Sequence, residues 1–90
     1  MTLEELNRKL VELGITDNRY YLHGLYGSTD DNDKLALSIK REKHAVEFEV
    51  YFKERGEKHS TRTFTTEDEA CQYMYKRLKE NKETDDKYSK

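Results

Sequence analysis

Apolar residues recur along this chain with two different periods. Between residues 2 and 13, Leu3, Leu6, Leu10 and Leu13 are spaced three, four and three apart, with Glu4, Glu5, Arg8, Lys9 and Glu12 between them. That spacing gathers one apolar stripe on an α-helix. Thr2 followed by Glu5 makes a capping box, in which hydroxyl and carboxylate satisfy backbone donors that the first turn leaves unpaired. Gly14 supplies a left-handed stop at the other end.

The period then shortens to two. Tyr20 to Tyr26 is aromatic and β-prone, and the turn-rich stretch from Gly27 through Asp30, Asp31, Asn32 and Asp33 follows it, so a strand and a loop are expected there. Leu35, Leu37 and Ile39 alternate with Ala36, Ser38 and Lys40. Val46, Phe48, Val50 and Phe52 alternate with Glu47, Glu49, Tyr51 and Lys53. Strict alternation of this kind marks half-buried antiparallel strands. Arg41 to His44 forms the turn between them, and Arg55-Gly56-Glu57-Lys58 leads into a further strand at about Ser60 to Thr65.

Thr66 and Glu69 repeat the capping box, and Glu67, Asp68 and Glu69 place negative charge where a helix dipole favours it. Ala70, Cys71, Met74 and Leu78 form the core face of this second helix, which fades near Lys79 or Glu80 as apolar positions run out. The charged residues 81–90 are expected to be a disordered tail beyond a single domain of residues 1–80. The fold class is therefore α+β with two layers. An antiparallel sheet of three to four strands carries both helices on one face and leaves the other face open.

Composition narrows the function classes. Charged residues are 40% of the chain and the net charge is -2, with 17 Lys and Arg against 19 Asp and Glu. No basic footprint suited to a phosphate backbone results, so nucleic acid is not expected as a partner. No apolar run approaches the roughly 20 residues that cross a bilayer, so no membrane association is expected. The N-terminus carries no secretion signal, and the single Cys71 cannot close an internal disulfide; both point to a cytoplasmic protein.

Candidate chemistry is sparse. His23, His44 and His59 stand in no metal-ligand spacing. Asp30, Asp31 and Asp33 have the oxygen chemistry of a calcium loop but lack the glycine and distant glutamate of an EF-hand, which favours a solvated turn. Cys71 falls on a core face, and none of the four glycines belongs to a phosphate-binding motif. No enzyme, metal or cofactor is implied. Helix, three strands and helix is also the order of the double-stranded-RNA-binding domain, but Glu67, Asp68 and Glu69 stand where that domain needs cations. The open sheet face carries Glu47, Glu49 and Tyr51 beside Ser38 and Ala36, with either Tyr21 and His23 or Tyr20 and Leu22 from the first strand. Tyrosine next to carboxylate suits a protein-binding surface. The acidic loop with Asp30, Asp31 and Asp33 is the second candidate surface.

The run Val50-Tyr51-Phe52-Lys53-Glu54-Arg55-Gly56-Glu57-Lys58, followed by Phe64 and by Glu67-Asp68-Glu69-Ala70-Cys71, resembles small bacterial immunity proteins of polymorphic toxin systems. The Leu-rich first helix and the Tyr20 to Gly24 strand fit the same pattern, so the resemblance spans about residues 3 to 79. It implies a cytosolic antidote that binds a cognate toxin domain and needs no catalytic residue. A small regulatory or prophage-type interaction domain is the alternative.

Overall fold

The computed structural model describes the backbone of residues 1–88 and the side chains of residues 1–82. Helix α1 (Leu3–Glu12) is followed by a 3-10 turn (Asp17–Arg19) and strands β1 (Tyr20–Leu22), β2 (Tyr26–Gly27), β3 (Lys34–Arg41), β4 (Val46–Glu54) and β5 (Glu57–Phe64). Helix α2 (Glu67–Tyr88) closes the order. Among these elements no helix is long and apolar enough to cross a membrane.

Both helix starts form the hydroxyl half of the expected capping box, while the Glu5 and Glu69 carboxylates accept from the Thr2 and Thr66 hydroxyls rather than from a backbone amide. The Glu5 amide donates to Thr2 Oγ1 at 3.2 Å, and the Glu69 amide donates to Thr66 Oγ1 at the same distance. Helix α1 ends in a Schellman motif: Ile15 N–H reaches Leu10 O and Gly14 N–H reaches Val11 O, both at 3.0 Å, with Gly14 at φ +80°. Ile15 and Leu10 are both buried, supplying the apolar contact that accompanies this motif.

The sheet has five strands in the order β2-β1-β3-β4-β5, and it is mixed. This corrects the expected antiparallel sheet of three to four strands. The segment Tyr20–Tyr26 is not one strand, because His23 (φ 52°) and Gly24 (φ 75°) fold it back into a tight hairpin closed by Leu25 N–H to Leu22 O at 2.9 Å. The loop after β2 then returns the chain so that β1 and β3 run parallel, Tyr20 beside Leu35 and Leu22 beside Leu37. The result also departs from the helix, three strands and helix of the RNA-binding domain.

One core lies between the sheet and both helices. Leu3, Leu6 and Leu10 of α1 and Ala70, Cys71, Met74 and Leu78 of α2 meet Tyr20, Leu22, Leu35, Leu37 and Val50. Both helices therefore cover the same sheet face, as the alternation implied. Ile39, Phe48 and Phe64 pack at the margin of this core and remain partly exposed. Burial pushes the Cys71 thiol up to about 12, with the Glu67 carboxylate adding to it, so the thiol stays protonated and serves as a small apolar side chain.

Helix α2 runs on to Tyr88, past the fade expected near Lys79 or Glu80. Loss of an apolar face does not end it, because the Lys and Glu residues there have good helix propensity and neither Gly nor Pro interrupts them. The expected tail of residues 81–90 thus begins as helix, and its last two residues lie outside the described residues.

Gly27 is demanded by Tyr20. It sits at φ +76°, and a Cβ there would stand 2.6 Å from Tyr20 O and 2.7 Å from its ring. Gly56 also has a positive φ (+80°), but a Cβ there would meet nothing within 4 Å. Gly27→Ala should therefore cost about 1–3 kcal/mol of overpacking beyond the conformational cost shared with Gly56→Ala, about 1 kcal/mol. Paired urea melts measure the difference; equal losses would mean that Tyr20 does not pack against this turn.

Candidate functional site

The site develops from the β3–β4 register. Eight cross-strand pairs, from Lys34 beside Lys53 to Arg41 beside Val46, set Ala36 against Tyr51, Ser38 against Glu49 and Lys40 against Glu47. These pairs face away from the helices, while Leu37, Val50 and their alternates face the core. Tyr21, beside Ala36, extends the outer face onto β1, whereas Tyr20 and Leu22 turn inward.

That face is not the open acidic patch that the alternation suggested. Tyr51 is 2% exposed, Glu49 6%, and Ala36 is fully buried, although no helix covers them. Long lysine side chains and the loop before β3 cover them instead. Glu49 accepts from Lys58 Nζ on one oxygen at 2.7 Å and pairs with Lys40 Nζ through the other at 2.8 Å. Lys58 Nζ also lies 4.5 Å above the Tyr51 ring. The Tyr51 hydroxyl donates to Asp31 Oδ2 at 2.7 Å, lies 3.1 Å from Ser38 Oγ, and Asp31 Oδ1 accepts from Lys53 Nζ at 3.2 Å. One connected lattice thus runs Lys40, Glu49, Lys58, Tyr51, Asp31, Lys53.

Its electrostatics follow from these contacts. Burial alone would raise the Glu49 carboxyl, but hydrogen bonds and charge from Lys40 and Lys58 outweigh it and hold the group below the usual carboxylate range. The Asp31 carboxyl is also lowered, first by the Tyr51 hydroxyl and then, against some desolvation, by Lys53. Tyr51 is pushed up to about 12, chiefly by burial, with the Asp31 carboxylate adding to the effect and Ser38 opposing it. The phenol is a fixed neutral donor rather than an acid or nucleophile. Chemically, the lattice can hold side chains in place and present hydrogen-bonding groups.

Of the six residues expected at a partner surface, Glu49, Tyr51 and Asp31 are brought together. Glu47 stands at the edge of the same face, half-buried. Asp30 is separate: it closes the loop on itself by accepting from the Asn32 amide and from Lys34 Nζ, both at 3.1 Å. Those bonds, the Asn32 amide foremost, lower its carboxyl. Asp33 serves the backbone at φ 55°, a conformation that Asp tolerates better than most residues. The acidic loop is therefore part of the sheet-face site through Asp31 rather than an alternative to it. Among the described residues no group of three or more His, Cys, Asp or Glu could hold a metal ion.

Two contributors are not evident from the sequence. The lysines 40, 53 and 58 have the pattern of ordinary solvated charges: Lys40 stands opposite Glu47, whereas Lys53 and Lys58 stand opposite each other, and all three reach Glu49 or Asp31 only along the face and across the loop, which no local pattern marks. His23 supports the sheet itself, since its backbone N–H donates to Leu37 O at 2.7 Å and its Nδ1 accepts from the Ile39 amide at 3.0 Å. Those two bonds carry the parallel ladder past the end of β1.

No protein-family model matches this chain, and neither the curated proteins nor the solved structures contain a match to it.

The lowered carboxyls tie stability to pH. Glu49 and Asp31 bind protons less readily folded than unfolded, where the ordinary values are 4.5 and 3.8. Their contribution is complete above those values and is lost as pH falls through the lowered folded ones. Glu49→Gln should cost about 1–2 kcal/mol near neutrality, discounted because both lysines are partly exposed. The difference from the unsubstituted chain should shrink as pH falls below the ordinary carboxyl values and the lowered groups take up protons. Urea melts at neutral and acidic pH provide the check, and Glu47→Gln, which stands opposite Lys40 but makes no lattice hydrogen bond, should stay within about 0.5 kcal/mol.

Proposed function

We propose that this protein is a non-enzymatic protein-binding inhibitor that acts in the cytoplasm, of the kind its motifs resemble: an immunity protein that occupies a cognate bacterial toxin domain. The observation that carries this reading is the outer-face lattice. Binding a partner ordinarily costs the freedom of each side chain it immobilises, about 0.5–1.5 kcal/mol for long ones. Here Lys40, Lys53 and Lys58 are already tethered to Glu49 and Asp31, so much of that ordering precedes the encounter. A preorganised face of mixed charge favours one complementary partner over others, because a mismatched charge placed against it meets both repulsion and desolvation.

Chemistry of this face supports binding rather than turnover. Its phenol is held neutral, its carboxylates are each paired to cations, and neither class of group is poised to accept or release a proton near neutrality. The partner reading needs no cofactor and no metal.

The test is a search for a toxin gene beside this one and co-expression with the toxin domain it encodes. A stoichiometric complex on size exclusion and restored growth are expected. Glu47→Lys reverses the charge at the half-buried edge of the face and removes no lattice hydrogen bond, so the fold should persist at a cost of at most about 1 kcal/mol, from the like charge of Lys40 opposite, while affinity falls by at least about tenfold. Unchanged affinity would remove the outer face from the interface. No complex and no protection would favour a regulatory interaction domain with a different partner.

A further inference from the structure

The edge strand β5 differs from the rest of the sheet. It is eight residues long, forms the outermost strand on its side and is exposed along almost its whole length. Between the pairs Val50–Arg62 and Phe52–His59, β4 contributes one residue, Tyr51, while β5 contributes two, Ser60 and Thr61. This is a β-bulge, and Ser60 takes φ 53° within it. The extra residue changes which side chains share a face. His59 and Arg62, three apart and on opposite faces of any regular strand, both pair with residues on the helix side.

There they meet α2. Arg62 lies 5.4 Å from the Tyr73 ring centre and Arg77 lies 6.0 Å from it, so one ring carries two guanidiniums. A groove of about 450 Å³ opens beside them, with Leu35, Phe52 and Tyr73 as apolar lining, His59, Ser60, Arg77 and Asn81 as polar lining, and the Glu54 carboxylate, to which an occupant's own carboxylates cannot be adjacent, also in its wall. Phe52 is 37% exposed in it. Neither Arg62 nor Arg77 takes part in an ion pair among the described residues, in contrast to Lys40, Lys53 and Lys58 on the other face. Stacking on a ring leaves the five guanidinium N–H donors of each arginine available for carboxylates.

We propose that β5 and this groove form a second interaction surface that captures an extended acidic segment of a partner protein by strand addition. The segment's backbone pairs with the free edge of β5, its carboxylates meet Arg62 and Arg77, and an apolar side chain between them enters the groove over Phe52. Charge selects the occupant. A second copy of this chain lacks that match: in a two-fold pairing centred on Ser60, Lys58 stands against Arg62 twice, a repulsion that an acidic strand does not meet. This surface is separate from the outer face and does not depend on the toxin-inhibitor reading.

The probe is a phage-displayed library of random peptides about ten residues long, panned on the full chain, followed by amide and side-chain NMR titration of the enriched sequences. Acidic, β-prone peptides with one aromatic or branched apolar residue should be enriched. They should shift β5 amides and the Phe52 and Tyr73 rings. Arg62→Glu with Arg77→Glu, both exposed, should retain the melting curve and weaken binding at least about tenfold, whereas Glu47→Lys on the outer face of β4 should leave it unchanged. The proposal is overturned if enriched peptides carry no negative charge, if none is enriched, if shifts fall on the outer face, or if β5 shifts grow with the concentration of the chain alone.

Discussion

The pairing of β3 with β4 is the constraint on which the rest of this molecule depends. It is the longest ladder in the sheet, and because side chains alternate with period two it assigns every residue of both strands to one of two faces at once. Slipping β4 by one residue against β3 would turn Val50 and its alternates outward and Glu49 and Tyr51 into the helices. Neither outcome is tolerable. The apolar side chains would lose their burial, and a carboxylate would enter a core that holds no cation to meet it. Core packing and lattice therefore enforce the same register from opposite sides, which makes the pairing more specific than an apolar face alone would.

Much of this architecture is legible along the chain because it depends on short-range patterns. Both threonine caps, the Gly14 stop, the core faces of the helices and the inward set of β4 follow from spacing and turn chemistry within a few residues. Three features depend on something else. The His23-Gly24 turn requires a histidine with positive φ, which propensity does not foretell, and missing it converts two short strands into one and a mixed sheet into an antiparallel one. The bulge at Ser60 adds a residue at a position where nothing in the local pattern marks it. The length of α2 depends on propensity rather than on amphipathicity, so it outlasts its apolar face. The candidate site divides in the same way. Glu49 and Tyr51 are placed on the outer face by alternation, but their burial depends on lysines and on Asp31, which reach them across strand and loop.

That burial changes what the outer face is. An exposed carboxylate attracts any nearby cation and is screened by salt over a Debye length of about 8 Å in physiological conditions. A carboxylate held between two lysines instead fixes their positions, and it presents ordered ammonium groups rather than bare negative charge. Tyr51 joins the two halves: its ring lies under Lys58 and its hydroxyl engages Asp31. The arginines beside Tyr73 follow the opposite logic, since aromatic stacking orients them while leaving their hydrogen-bond donors available. The two faces thus differ in chemistry: one is a lattice of three lysines tethered to two carboxylates, the other a pair of oriented cations at the margin of a groove.

Carbon-detected NMR titration of the side-chain carboxyls tests the lattice most directly, because it reads Glu49 and Asp31 individually in the folded protein. Both are predicted to titrate below their ordinary values of 4.5 and 3.8, and Lys58→Met should move Glu49 upward while leaving Asp31 nearer its starting point. A Glu49 midpoint at or above 4.5 in the unsubstituted chain would show a carboxylate without its lysines and would contradict the preorganised face on which the account is built.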